Sequence, residues 1–455
     1  MTLTLDFFWE EKTMNIVRSF ANSLSYHMSS KEKQKLTQQK RLKKLVAYVR
    51  KNSPKLAEMY ADIGENFSLQ DLPVTNKQIV MENFNNWVTD RNISLEELKK
   101  FTEDKNNIGT PFMGKYIVAS TSGSTGYPLI YLIDKWHRNT SATESMLDNA
   151  MKHRPVCMLY SGGSFLISTG IILENMRKFP FIKKYLKLLD STMPLSELVS
   201  RLNEIKPKSI FAYVSTMELL ADEYKNGNLK VKLEEIVCSG EKLSDTMRSY
   251  LKDVFGCRIK SMYGCTEGGN MAYECDCGHF HIFNGWNILE PVDADNNPVP
   301  YGQSAEKFLL TNLANHTMPI IRYEVTDQVI LHDDICECGR KDPWIEVEGR
   351  AVNKLLVFRS DNKDVRISSM TIYVMLETMD SMRLFQMVVH GYDKIEMRIN
   401  FMPGVDEKSV FEEVKTTLTN YLHSNGIDNV EIYLSDLQPQ IDPKTLKLKT
   451  VYQEF

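Results

Sequence analysis

Apolar and polar positions change their period along this chain. From Ser29 to Tyr60, apolar residues recur every three or four positions among lysines and glutamines, behind a Ser cap. That spacing predicts helices with one buried face. Leu72-Pro73-Val74-Thr75-Asn76-Lys77 breaks the run and caps another helix, so the first ~110 residues are expected to be helical. From Tyr116 onward, short β-branched runs alternate with helical stretches. Tyr116–Ala119 and Tyr127–Leu132 read as strands. Ser209–Tyr213 precedes a helical Ser215–Tyr224, and Glu235–Cys238 precedes Ser244–Phe255. This alternation predicts an α/β architecture with a largely parallel sheet. Beyond Gly349 the texture changes. Strand-like Phe385–Val389 and Ile395–Phe401 are followed by a helical Ser409–Leu422 and a strand-like Val430–Leu434. The expectation is a large N-terminal domain of sheets flanked by helices, residues 1–349. A hinge joins it to a small α+β domain, residues 350–455. No internal repeat or low-complexity tract interrupts the pattern.

A chain of 455 residues exceeds what one core usually serves. With 42% hydrophobic and 25% charged residues, it has the composition of a soluble globular protein. A net charge of −4 gives no electrostatic reason to expect nucleic acid. The basic run Lys40-Arg41-Leu42-Lys43-Lys44 carries its leucine at helical spacing and reads as a solvated helix face. No apolar run is long enough to span a bilayer, and Met1–Lys12 lacks the basic-then-apolar order of a signal peptide. The expected location is cytoplasmic, so the eight cysteines are read as thiols or metal ligands rather than disulfides.

Four stretches carry candidate chemistry. Ser120-Thr121-Ser122-Gly123-Ser124-Thr125-Gly126 lies between two strand-like runs. Its glycines let backbone N–H groups converge and its hydroxyls add donors, a nest suited to di- or triphosphate oxygens. It lacks the Gly-Lys-Ser/Thr of P-loop NTPases, and the bland alternative is a flexible hairpin turn. Met262-Tyr263-Gly264-Cys265-Thr266-Glu267-Gly268-Gly269 follows the strand Arg258–Ser261. Loops after strands of open α/β sheets bind ligands. Thr266 can donate to a phosphate, and Glu267 is a carboxylate suited to hold Mg²⁺ on phosphate oxygens, unless it is simply a solvent-facing turn residue. Pro319–Asp327 is strand-like and ends in a carboxylate able to accept both ribose hydroxyls, though Asp is also ordinary turn chemistry. Val347-Glu348-Gly349-Arg350 sits where a hinge would. Cys275-Asp276-Cys277-Gly278-His279-Phe280-His281 and Cys336-Glu337-Cys338-Gly339 form a separate constellation of two knuckle-like turns, whose thiolates and imidazole favour tetrahedral Zn²⁺. Five candidates, Cys275, Cys277, His281, Cys336 and Cys338, compete for four places. Cys157, Cys238 and Cys257 lie in or beside strand-like runs and read as core, whereas Cys265 follows Gly264 in the loop.

The order Thr121–Gly126, Tyr263–Glu267, Ile321–Asp327, Gly349-Arg350 and Thr445–Lys447 resembles the adenylate-forming enzymes, above all the phenylacetate–CoA ligase-like branch. The helical opening, in Arg41–Ala47, Ser53–Tyr60 and Leu72–Lys77, is similar too. The resemblance implies that Ser122, Gly123, Ser124, Thr125 and Gly126 cradle the β,γ-phosphates of ATP. It implies that Ser239, Gly240, Glu241, Tyr263 and Gly264 line the adenine and acyl pocket. Thr266 would touch the α-phosphate, Glu267 would hold Mg²⁺, Asp327 would bind ribose, and Arg350 would lie at the hinge. Lys447 would reach in from the small domain, with Lys449 the near alternative. For the metal, the branch favours Cys275, His281, Cys336 and Cys338 around a structural Zn²⁺, with Cys277 able to replace either of the first two. Val352, Thr326 and Leu446 depart from the family pattern at the hinge, before the ribose carboxylate and before the lysine.

What the resemblance implies is acid plus Mg·ATP giving acyl-AMP and pyrophosphate, followed by transfer to CoA or a phosphopantetheinyl carrier protein. The alternatives are a non-catalytic nucleotide-binding protein on the same fold, or an adenylate passed to an amine. The partner acid is small and not readable, although Phe165, Ile167 and Tyr213 fall where its pocket would lie.

Overall fold

The computed structural model describes residues 16–121, 129–147, 152–160, 165–347, 355–360, 363–377, 379, 381–442 and 447–454. The helical opening forms as its pattern predicts. Ser30 caps helix Lys31–Asn52 by accepting from the Lys33 N–H. Ser53 ends that helix and caps the next, Pro54–Met59, whose first residue is the proline that needs no N–H partner there. Asn76 caps Lys77–Glu82 through the Ile79 N–H. These helices bury Leu45, Val49, Leu56 and Val80 in the main core, and the short helix Phe84–Trp87 that follows adds Phe84 and Trp87.

Strands Ile117–Thr121 and Leu129–Ile133 pair antiparallel, Ile117 opposite Ile133. All five residues of the second strand are buried, so it reads as a continuous apolar run rather than an alternation. The large sheet has ten strands among the described residues. Five are parallel, in spatial order Leu186–Asp190, Val156–Tyr160, Ser209–Ala212, Glu235–Ser239 and Arg258–Cys265. From there the sheet continues antiparallel through Gly269–Glu274, Phe280–Ile282, Trp344–Val347, Val329–His332 and Ser304–Ala305. The sheet is therefore half parallel. Hairpins after Cys265 add strands that the helix–strand alternation does not announce.

The strand Arg258–Cys265 also runs four residues past its expected end at Ser261. Its partner Gly269–Glu274 extends the ladder, with Cys265 opposite Gly269. Gly264 is needed there, because a Cβ would lie 2.3 Å from the Gly269 carbonyl oxygen.

Past residue 355, a separate core gathers Leu356, Phe358, Phe385, Met397, Val414 and Val451. Its sheet runs Glu431–Leu434, Lys394–Phe401, Met382–His390, Val451–Glu454, with helix Glu407–Ser424 contributing Val410, Val414, Leu418 and Leu422 to the same core. Among the described residues the unit meets the rest of the chain at two helices, Val214–Lys225 and Leu195–Ile205, the second through the Leu195 N–H donating to Asn425 Oδ1 at 3.4 Å. Ser368 Oγ lies 2.6 Å from Ser215 Oγ, and Arg366 pairs with Asp222 and Glu218.

Candidate active site

The turn after strand Arg258–Cys265 carries Thr266 and Glu267, both half-buried. Glu267 is held at two points. Its backbone carbonyl accepts from the Tyr131 hydroxyl and from Asn312 Nδ2, each at 3.0 Å. Its carboxylate Oε1 accepts from the Tyr323 hydroxyl at 2.8 Å. Burial, then the neighbouring Glu267 carboxylate, pushes Tyr323 far above the ordinary phenol range, so this hydroxyl stays a donor. Asn315 Nδ2 supports Tyr131 by donating to its hydroxyl at 2.9 Å. One strand, Ile320–Val325, thus carries Tyr323 to Glu267, while Asp327 just beyond it accepts from the Tyr263 hydroxyl at 2.8 Å. The structure brings Tyr263, Glu267, Tyr323 and Asp327 to one end of the sheet.

Local strain aims Tyr323. Its neighbour Arg322 sits at φ +45°, a region that β-region residues avoid. The register with the adjacent strand shifts between Leu310 and Asn312, and the Arg322 N–H turns to Thr311 Oγ1 at 2.9 Å. A bulge of this kind re-aims side chains. The Arg322 guanidinium locks it by donating to Glu290 and to the Gln70 and Leu72 carbonyls. The sequence marks this stretch as a strand running toward Asp327 but gives Tyr323 no role.

Other expected site residues fall in different places. Ser239 ends its strand, and Gly240 follows at φ +77°, where a Cβ would lie 2.9 Å from the Tyr213 ring. The Glu241 carboxylate accepts from the Ser215 N–H at 2.7 Å and hydroxyl at 2.9 Å, at the start of helix Val214–Lys225. Burial raises its pKa and those two bonds oppose the rise. Phe165 is buried in the main core beside Phe101. Ser122, Gly123, Ser124, Thr125, Gly126 and Arg350 lie outside the described residues. Lys447 lies on the second leg of a short hairpin, paired with Asp442.

The two cysteine turns meet at the sheet's antiparallel end. The ligand atoms of Cys275, His281, Cys336 and Cys338 all lie within 4.8 Å of one another. Gly278 and Gly339 turn the chain at φ +85° and +83°. His281 Nδ1 donates to the Asp342 carbonyl at 3.1 Å, which leaves Nε2 toward Cys338 Sγ, 3.3 Å away. Burial and the nearby Arg340 charge hold His281 down at about 4, so the ring is neutral. Cys277 is exposed, while His279 Nδ1 lies 3.2 Å from Cys336 Sγ with its ring stacked on Trp344. His279 is thus a neighbour of the cluster beyond the five candidates. Cys157, Cys238 and Cys257 are buried, as their strand-like surroundings predict.

No family model matches the chain. The phenylacetate–coenzyme A ligase of Thermus thermophilus is 25% identical over 332 residues, 68% of each chain. Among solved structures, 2-hydroxyisobutyryl-CoA ligase in complex with 2-HIB-AMP and CoA, in the thioesterification state, superposes with TM-score 0.59 at 18% identity. That match covers 98% of this chain and 95% of the other. The same ligase in its postadenylation state gives TM-score 0.57 at 17% identity, with the same coverage. The chain is thus similar in sequence to a phenylacetate–coenzyme A ligase and has the fold of 2-hydroxyisobutyryl-CoA ligase. Its motif order likewise resembles that of the phenylacetate–CoA ligase-like branch. Among the described residues, no helix is long and apolar enough to cross a membrane.

Proposed function

We propose that this chain is an acid–thiol ligase. A small carboxylic acid attacks the α-phosphorus of ATP, the α–β bond breaks, and pyrophosphate leaves with its charge. A thiol then attacks the acyl carbonyl and AMP departs. The observation that carries the reading is the doubly anchored Glu267 beside the Tyr263–Asp327 pair. Glu267 and Thr266 face the phosphates in this reading, and Asp327 holds the ribose, with Ser239, Gly240 and Glu241 lining the pocket around adenine and acyl group. Tyr323 takes one Glu267 carboxylate oxygen, which leaves the other to serve Mg²⁺. The metal would neutralise developing phosphate charge. Ser122, Gly123, Ser124, Thr125 and Gly126 would supply the phosphate nest. CoA is the acceptor we favour, because both relatives named above are CoA ligases by name. The test is a pyrophosphate-release screen of aryl, fatty and hydroxy acids, with CoA, a carrier protein or an amine as acceptor. No release with any acid would overturn the reading and favour a non-catalytic nucleotide binder.

Residues 350–455 would act as a mobile lid, with Arg350 at the hinge and Lys447 delivered for the first step. Support comes from the unit's own core, separate from the main one. Location in the cytoplasm remains part of this proposal.

Tyr323→Phe removes the hydrogen bond to Glu267 while keeping the ring. A bond to a charged group is worth ~1.5–3 kcal/mol, so single-turnover adenylation should slow by about tenfold or more. An unchanged rate would remove Tyr323 from the site.

Cys275, His281, Cys336 and Cys338 would hold one structural Zn²⁺. The donor set fits, with three thiols and a neutral imidazole oriented by the Asp342 carbonyl. Elemental analysis should find about one zinc per chain. Cys336→Ser or Cys338→Ser should lower Tm by about 5–10 °C, the scale of a few kcal/mol. Kinetics of the folded fraction should persist. Protein made with zinc available yet lacking stoichiometric metal would sink this assignment.

A further inference from the structure

Gln386 is an anomaly in the small unit. It lies on the inner strand Met382–His390, 2% exposed, beside the buried Met387, Val388 and Val389. An apolar residue would satisfy a sheet position equally well. Its amide is instead saturated. Nε2 donates to the Gln440 carbonyl at 3.1 Å and the Lys449 carbonyl at 2.9 Å. Oε1 accepts from the Gln440 N–H at 3.1 Å and from Arg398 Nη1 at 3.0 Å. Gln440 and Lys449 are the residues immediately outside the hairpin Ile441–Asp442/Lys447–Leu448. One side chain therefore ties the chain entering the hairpin to the chain leaving it.

The partners of Gln386 are fixed in turn. Arg398 lies directly across the ladder from Gln386. Its Nε and Nη2 donate to both oxygens of Glu396, at 2.8 and 2.9 Å. Glu396 also accepts from Ser435 Oγ at 2.6 Å and lies 2.8 Å from His390 Nε2. Ser435 is on the path from strand Glu431–Leu434 to the hairpin. A fork-to-fork pair has little rotational freedom, so Arg398 is a rigid backstop for the Gln386 amide. The hairpin needs one. A ladder of two residues per leg cannot hold its own register in water.

We propose that Gln386, backed by Arg398 and Glu396, is a positioning residue that fixes the base of the hairpin bearing Lys447, and so is required for adenylation but not for thiolysis. The proposal rests on the ligase reading above. It is tested with Gln386→Met, which keeps the volume and loses every hydrogen bond. Hydrogen exchange in residues 440–450 should rise about tenfold, with helix Glu407–Ser424 unchanged. Pyrophosphate release from ATP and phenylacetate should slow about 30-fold, the scale of one or two lost buried hydrogen bonds. Thioester formation from supplied phenylacetyl-AMP and CoA should stay within about threefold. In a Lys447→Ala background, adding Gln386→Met should cost nothing further, because both act through one group.

Unchanged exchange at 440–450, equal losses in both half-reactions, or additive losses in the double variant would each overturn the proposal. If the wild type releases no pyrophosphate with any acid, the ligase reading fails instead, and the exchange measurement alone decides the clamp. Should Gln386→Met not fold, Gln386→Asn takes its place with the same readouts, since it keeps the amide on a stem one carbon too short.

Discussion

Glu267→Ala is expected to slow single-turnover acyl-adenylate formation by about 10³-fold, or ~4 kcal/mol. Glu267 stands in a turn whose backbone is already fixed by Tyr131 and Asn312, so truncating its side chain leaves the turn in place. What is lost is a carboxylate that Tyr323 aims, and with it, on the proposed reading, the anchor for the metal on the phosphates. Glu267→Gln should be nearly as slow, since it keeps the shape and loses the charge. The residue is half-buried in a turn, so thermal stability should change little. Thiolysis of supplied acyl-AMP should survive better than adenylation, because no pyrophosphate charge develops in that step. Rapid-quench measurement of acyl-AMP checks this. A rate within a few-fold of wild type would remove Glu267 from the phosphate site.

Much of the frame behind this prediction is legible in the sequence, and the limits have physical causes. Strand–helix pairs such as Ser209–Ala212 with Val214–Lys225 follow from local periodicity and β-branched runs, which need no distant partner. The strand ending at Cys265 is longer than expected because its last residues are held by a strand that follows the turn. Ladder hydrogen bonds of that kind are not encoded in the segment they extend. Tyr323 was hidden for a related reason. Its aim depends on a bulge opposite Thr311 and on Arg322 reaching back to Gln70 and Leu72, some 250 residues away in sequence. Glu241 shows the same effect: its carboxylate caps a helix that begins 27 residues earlier, at Val214. Cys275, His281, Cys336 and Cys338 were separable from Cys277 only with the help of the family resemblance. In the structure, the ligand atoms of those four converge, and Cys277 is an exposed neighbour beside Cys275 and Cys336. Gln386 gave no signal, because a lone glutamine in a strand-like run has no spacing to read.

Lys447→Ala is expected to slow acyl-AMP formation from acid and ATP by about 10²–10³-fold, while supplied acyl-AMP still reacts with CoA at close to the wild-type rate. Adenylation brings two anions together, the acid's carboxylate and the α-phosphate, and a cation between them lowers the barrier. In water such a charge is worth ~1 kcal/mol, and in a closed, partly desolvated site several times more. Thiolysis begins from a neutral acyl carbonyl and an AMP leaving group, with one anion fewer to bring together, so the lysine matters less. Lys447 sits on the returning leg of the 441–448 hairpin, and Lys449 immediately follows that leg, with its carbonyl on the Gln386 amide. Leu446 stands where the family has glycine just before its lysine, so the two lysines must be mutated singly. Loss of adenylation with Lys447→Ala alone assigns the role to Lys447. Loss with Lys449→Ala alone moves it two residues on, past the clamp. If both variants keep wild-type adenylation, the cation comes from outside this hairpin, and the lid then has no electrostatic part in the first step.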